Sequence, residues 1–404
     1  MRQKNLYRLL ISMTCLLTSF GCAHVRNAVP IDFSGKVAIS GMPDIRFDIE
    51  NPDPLVMQKS LTDAFKGEGG NDYPANAAGI RTYPALAVSA GGPKGAYGAG
   101  FLRGWAEEGS RPDFKIITGV SSGAIIALAT FLGKDYDDPL EKFFTTMSTK
   151  DIMKQNNLLS ILFGESFMSP APLVKKISSI VDEKLVAKVA EEHKRGRRLF
   201  IGTVNLDAQK FVVWDMGALA CKATPDALNL FRKILMASSS MPMIFPPTYF
   251  KVTAASGEFY DEMHVDGGAM RQVFYIDQLT KKMEGADKVS GVDPSKYRPK
   301  IYILSTGYMS PDRQRVKNNL VSIGKRSLET LQAEAYIGDI YRLYTFAQKR
   351  DWDFNLAYIP SDFKPNPKEY FDTKEMQRLF KRGHDDAAHG YMWHKAPPGY
   401  ALEE

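Results

Sequence analysis

Apolar residues in this chain gather in short unbroken runs, each followed by a glycine-rich break and then by apolar positions at helical spacing. Ala85 to Ala90 is the first such run and has the length of a strand. Gly91-Gly92-Pro93-Lys94-Gly95 breaks it, and Ala96 to Trp105 then places apolar residues at helical period. The same order recurs a few residues later. Phe114 to Thr118 predicts a buried strand, Gly119-Val120-Ser121-Ser122-Gly123 a tight turn, and Ala124 to Leu132 an alanine-rich buried helix. Two strand–loop–helix units in succession predict a parallel sheet with helices packed on it.

Further along, Leu158 to Val186 alternates at helical period, punctuated by Pro170 and Pro172. Ile161 to Gly164 and Phe167-Met168 are apolar in a loop-like setting, either as a core-facing loop or as a lid turned toward lipid. Arg198 to Val204 and Phe211 to Trp214 read as strands joined by a turn at Asn205 to Ala208. Asp226 to Met236 predicts a helix, Ile301 to Ser305 a buried strand, and Ser327 to Lys349 a long helix. A strand from Asp353 to Ile359 and a helix from Thr373 to Ala388 close the chain. Ala23 to about Arg81 is polar and loop-like, with Pro30, Pro43, Pro52, Pro54 and Pro74 recurring in it. The pattern thus predicts an α/β fold, a three-layer α/β/α sandwich on a mainly parallel central sheet. It divides into a leader over 1–21, a tether and N-terminal wrap over 22–80, and one domain over 81–404 whose last part, 310–404, is a helical extension.

Charge and cysteines narrow the function. The formal net charge is +6, and Arg2, Lys4 and Arg8 lie ahead of the first apolar run. Without them 49 basic residues face 46 acidic ones, a balance of +3. That is too small to argue for nucleic acid, though it suits an anionic membrane surface. Leu9 to Leu17 is an apolar core too short to span a bilayer comfortably, as in an export signal. Thr18-Ser19-Phe20-Gly21-Cys22 then resembles a bacterial lipoprotein cleavage box. Ser19 stands where that family usually has Leu, and Phe20 where it usually has a small residue. The resemblance implies cleavage before Cys22, a lipid on its sulfur, and sorting to the outer membrane on its periplasmic side, since Ala23 and not Asp follows. An ordinary secretory signal and an uncleaved anchor are the alternatives. Cys15 would leave with the signal, so Cys221 alone would remain free and no internal disulfide could form. No Cys/His cluster has metal-ligand spacing, and no cofactor is expected.

The chemistry gathers at two places. Gly119-x-Ser121-x-Gly123 follows the first pattern a nucleophilic serine needs: a sharp strand-to-helix turn that lifts the hydroxyl clear, flanked by residues without side chains. The helix beyond it would aim free N–H groups at a developing negative charge. A chance match of G-x-S-x-G is the competing reading. Asp266-Gly267-Gly268 places a carboxylate at the end of a strand-like segment with open space after it; a plain Asp-Gly turn is the competing reading there.

Taken together, four blocks resemble the patatin-like phospholipases. Ser89-Ala90-Gly91-Gly92-Pro93-Lys94-Gly95 is similar to that family's glycine-rich oxyanion loop, with Ser89 for the usual Asp and Ala90 for the first Gly. Gly119 to Gly123 is similar to its nucleophile turn, Ala237-Ser238-Ser239-Ser240-Met241-Pro242 to its A-S-x-x-x-P block, and Asp266-Gly267-Gly268 to its second catalytic block. The resemblance spans roughly Pro84 to Thr306. It implies a lipid acyl hydrolase in which Ser121 is the nucleophile and Asp266 the general base, with no histidine between them. It further implies oxyanion donors on the loop of Gly91, Gly92, Lys94 and Gly95, and a lipid or phospholipid ester as substrate. Lys94 would either draw a phosphate head group or brace its loop; Ser238 and Pro242 would shape the wall. Two other readings stand beside it, one an enzyme and one a nucleotide binder. A Ser–His–acid triad would take its base from His384 or His389, late in the chain, while His264 precedes the acid on the same strand face. A nucleotide-binding loop at Gly91 to Gly100 lacks the spacing of a phosphate loop. A catalytically silent lipid-binding lipoprotein is the non-enzymatic alternative.

Overall fold

The computed structural model describes residues 26–400 apart from 34, 53, 70–71, 158–163, 277–296 and 311–312. Its strands are β1 (Val37–Ile39), β2 (Arg46–Asp48), β3 (Arg81–Val88), β4 (Ile116–Gly119), β5 (Lys154–Gln155), β6 (Met168–Ser169), β7 (Arg198–Asn205), β8 (Lys210–Asp215), β9 (Thr248–Ala254), β10 (Phe259–Asp266), β11 (Tyr297–Tyr308) and β12 (Asp353–Ile359). All but β5 and β6 join one sheet, in the order β1-β9-β10-β7-β4-β3-β11-β12, with β8 paired to β7 and β2 to β8. The centre, β7-β4-β3-β11-β12, is parallel. The flank carrying β1, β9, β10, β8 and β2 is antiparallel.

Period two along the central strands divides the core between the two faces of the sheet. Leu86 and Val88 of β3 and Tyr302 and Leu304 of β11 pack with Tyr97, Phe101 and Phe131. Their neighbours Ala85, Ala87, Ile301 and Ile303 pack on the other side with Ile340, Leu343 and Tyr344 of the helix Leu320–Lys349. Strands covered on both faces carry no polar alternation, which is why they read as continuous apolar runs. The three-layer α/β arrangement expected from the pattern is the one found.

The elements differ from the expected ones at the two ends of the chain. The stretch before Arg81 holds β1, β2 and a helix over Pro54–Lys66. Three-residue strands are too short to show a period; pairing with β9 and β8 orders them. Pro54 stands at the first position of its helix, where proline starts a helix because no N–H is needed there. At the C-terminal end the strand expected over Asp353 to Ile359 is found as β12, which extends the sheet beside β11, so the extension is helical only in part. Its last helix, Thr373–Ala387, lies against the helix Gly95–Glu108 at backbone contact. A Cβ at Gly100 would fall 1.9 Å from the Phe380 carbonyl oxygen, and one at Gly383 2.1 Å from that of Tyr97. The glycines after the first loop therefore serve helix packing. Of the apolar loop near 160, residues 161–163 lie outside the described residues; Phe167 and Met168 donate their N–H groups to the Met243 and Ile244 carbonyls at 2.9 Å each.

Candidate active site

Strand register brings the two chemical blocks together. β7 stands between β4 and β10. Gly119 is opposite Ile201 across one pair, and Asp266 is opposite Thr203 across the other. Ser121, two residues past Gly119, therefore comes level with Thr203 and so with Asp266. Two strand spacings, roughly 10 Å of backbone separation, are then spanned by two short side chains. The Ser121 side chain lies near enough to the Asp266 carboxyl to favour its charged form.

The turn that carries Ser121 is strained. Its φ of 57 and ψ of −127 lie outside the regions an ordinary residue favours. Neighbours hold it there. Its N–H donates to Ser238 Oγ at 2.9 Å, and Ser238 in turn donates to the Gly202 carbonyl at 2.8 Å. A Cβ at Gly119 would sit 2.4 Å from the Gly123 carbonyl oxygen, and one at Gly123 2.5 Å from that of Ser89. The bend closes only because both positions lack side chains.

Asp266 is 5% exposed. Burial pushes its carboxyl up to about 7, against the nearby Ser121 side chain and the bond from the Gly268 N–H, both of which favour the charged form. The Gly268 N–H donates to Asp266 Oδ1 at 2.7 Å, and the Asp266 N–H donates to the Ser240 carbonyl at 2.9 Å. Gly267 packs on β7, where a Cβ would meet the Gly202 carbonyl oxygen at 2.7 Å.

The loop after β3 divides its N–H groups. Those of Gly91 and Gly92 have no partner among the described residues. Lys94 donates to the Gly91 carbonyl at 3.1 Å, and Gly95 to the carbonyls of Gly92 and Pro93. Of the four expected donor positions, Lys94 and Gly95 are thus turned inward. Pro93 sets a tight helical turn over Gly92–Lys94 that leads straight into the helix Gly95–Glu108, and that turn takes both N–H groups. The Lys94 ammonium lies over the Tyr308 ring, 5.3 Å from its centroid, as a brace would. Ser89, in the position usually held by Asp, accepts the Thr306 N–H at 2.9 Å and donates to the Ala90 carbonyl at 3.0 Å.

Histidine plays no part at this contact among the described residues. His264 is buried between Thr203 at 2.9 Å and Glu262 at 3.2 Å, and burial lowers its pKa. His384 meets Glu107 at 2.8 Å, and His389 is exposed in the turn just past the last helix. Cys22 lies outside the described residues.

Four residues around the site escaped the sequence reading. Thr306 backs the oxyanion loop: a Cβ at Gly91 would lie 2.0 Å from its Oγ1. Gln272 donates to the Gly268 carbonyl at 2.6 Å and accepts the Ala90 N–H at 2.7 Å. Asp339 accepts the Gln272 N–H at 2.6 Å. The Tyr370 hydroxyl is 3.9 Å from Met241 Sδ and 3.3 Å from where a Gly92 Cβ would be. None belongs to a motif, and only Gln272, four residues past Gly268, had a local cue.

Residues 86–276 match the family model described as Patatin-like phospholipase. The chain carries a patatin-like phospholipase domain. It is by that a lipid acyl hydrolase. The patatin-like match holds Ser121 and Asp266 and ends before β11, so Thr306, Asp339 and Tyr370 reach the site from outside it. No curated protein matches the chain. Among solved structures, the crystal structure of VipD from Legionella pneumophila is similar at 12% identity and a TM-score of 0.35, over 78% of this chain and 68% of that one. Among the described residues no helix is long and apolar enough to cross a membrane.

Proposed function

We propose that this chain hydrolyses acyl esters of phospholipids and lysophospholipids through a Ser121–Asp266 dyad. What supports the reading is the strand register that brings Ser121 beside Asp266, with a carboxyl raised to about 7 by burial. A carboxylate at the ordinary value is too weak a base to take a hydroxyl proton; one near 7 is suited to the work. Ser121 Oγ attacks the ester carbonyl while its proton passes to Asp266. The carbonyl oxygen takes up the negative charge and faces the N–H groups of Gly91 and Gly92, with the N-terminus of the helix Ser122–Leu132 beside it. Collapse of this intermediate breaks the bond to the alcohol, which leaves with the proton from Asp266. Water then attacks the acyl-enzyme, giving a proton to Asp266, and the fatty acid departs as the proton returns to Ser121.

The segment ahead of the domain supports a setting for this activity. Export, lipid on Cys22 and a place on the periplasmic side of the outer membrane would hold the site beside its substrate. Cys22→Ser should then abolish incorporation of labelled palmitate, and unchanged labelling would exclude the anchor.

Hydrolysis of a medium-chain nitrophenyl ester and of phosphatidylcholine vesicles tests the dyad. Ser121→Ala and Asp266→Asn should both fall to background while remaining folded by circular dichroism. Full turnover in either variant rejects the dyad, and no turnover in the unaltered protein favours the silent lipid binder.

A further inference from the structure

We infer that Asp339 is a positioning residue of the hydrolytic site, acting through Gln272 on the oxyanion loop and on the Asp266 carboxyl at once. The inference rests on the dyad reading above.

Asp339 lies on the helix Leu320–Lys349, outside the matched family domain, and is 3% exposed. A carboxyl buried to that degree is costly unless bonded. Its Oδ2 accepts the Gln272 N–H at 2.6 Å and, more weakly, the Val273 N–H at 3.5 Å. Its Oδ1 accepts Arg342 Nη1 at 2.9 Å. Burial raises the carboxyl to about 6, against the Gln272 N–H and the charges of Arg342 and Arg271. At neutral pH it is therefore ionised, and its bond to Gln272 is the stronger, charge-assisted kind.

Gln272 has two arms. Its carbonyl takes the Ala90 N–H at 2.7 Å, fixing the residue just before Gly91. Its side-chain Nε2 donates to the Gly268 carbonyl at 2.6 Å, and the Gly268 N–H donates to Asp266 Oδ1 at 2.7 Å. The donors for the oxyanion and the base for the hydroxyl are thus set by one residue, and that residue is held by one buried anion. No other described residue bonds to both halves of the site, Gln272 using its backbone carbonyl for one and its side chain for the other. Displacement of reacting groups by even 1 Å is enough to cost rate, so the hold on Gln272 is felt in turnover and not only in stability.

The test compares Asp339→Asn, Asp339→Ala and Gln272→Met on a soluble short-chain ester, with Ser121→Ala beside them. Asn keeps an acceptor without the charge, and kcat should fall about tenfold, the loss expected when a charge-assisted bond becomes neutral. Ala removes the acceptor, and kcat should fall about a hundredfold, KM staying within about twofold in both. Gln272→Met keeps the backbone bonds and loses only the arm to Gly268. In Asp339→Ala and in Gln272→Met the Gly268 N–H should lose its grip on the Asp266 anion. The rising limb of kcat/KM against pH should then move to higher pH by roughly half a unit or more, because a bond to the charged form had been lowering that pKa. A merely structural residue would lower the folded fraction and leave this limb where it was. Folded variants with unchanged kcat and an unmoved limb overturn the proposal. So does a loss of rate that follows only the folded fraction. Should Asp339→Ala fail to fold, Asp339→Asn and Gln272→Met decide. If Ser121→Ala hydrolyses the ester at full rate, the dyad reading fails and this one with it. If Ser121→Ala is dead and the other three are normal, only the positioning role is rejected.

Discussion

Ser238 accepts the backbone N–H of Ser121 at 2.9 Å and donates its own hydroxyl to the Gly202 carbonyl at 2.8 Å. A fully buried hydroxyl thus ties the strained turn to the neighbouring strand β7. The strain at position 121 persists because its surroundings over-determine it.

Removing that tie should be felt twice. Ser238→Ala leaves the Ser121 N–H and the Gly202 carbonyl each short of a partner. We expect a loss of about 1–3 kcal/mol in stability. The turn should also relax toward ordinary backbone angles, lowering kcat with little change in KM. Urea unfolding and steady-state kinetics on one preparation measure both, and unaltered kcat would contradict the role given to Ser238.

The acid limb of the rate profile should report Asp266. Its carboxyl titrates at about 7, so kcat/KM should climb through neutrality and level off above it. A carboxylate near its ordinary 3.8 would give a flat profile from pH 5 upward. Initial rates between pH 5 and 9 in constant ionic strength distinguish the two curves.

The same raised carboxyl predicts that Asp266→Asn stabilises the protein it inactivates. The folded chain holds this proton up to about 7, the unfolded chain only to about 3.8. Between those values the folded state binds more protons, so stability falls as pH rises, and the full cost is present above 7. Roughly three units at about 1.4 kcal/mol each amount to something on the order of 4 kcal/mol. A neutral Asn escapes it. The variant should gain most at pH 8, less at pH 5, and almost nothing near pH 3. An equal difference from the parent at pH 8 and pH 3 in urea titrations would be the wrong result.

Gly91 should tolerate no side chain. Its φ of −174 is extended backbone open to any residue, so the obstacle is the space behind it. A methyl group there meets Thr306 Oγ1 at 2.0 Å and the Thr306 carbonyl oxygen at 2.9 Å. Gly91→Ala should push the loop outward and displace its free N–H, with a loss of about two to three decades in kcat. Stability should change far less, because the loop edge and not the sheet gives way. Wild-type kcat in this variant would remove Gly91 from the list of oxyanion donors.

Local pattern was enough for the elements whose geometry is local. The runs at Ala85 and Phe114 became β3 and β4, the glycine spacing around Ser121 became a bend that only glycine allows, and Asp266 closed β10. Apart from Gly123, which is held to glycine by the Ser89 carbonyl at the end of the neighbouring strand β3, such features depend on contacts a few residues apart, so they leave a mark in the order of residues. β1 and β2 left no such mark, because three residues show no period and their order comes from partners 164 to 217 positions away in β8 and β9. The same holds at the site. Whether Lys94 and Gly95 would offer their N–H groups depended on a single helical turn around Pro93. Ser121 and Asp266 meet because β7 is inserted between their strands at one register, and Gln272, Asp339 and Tyr370 arrive from loops and a helix that share no motif. The chain order determined which groups are present and how each is presented; only the packed sheet decided which of them touch, since pairing across strands is set by the burial of whole faces and not by any one stretch.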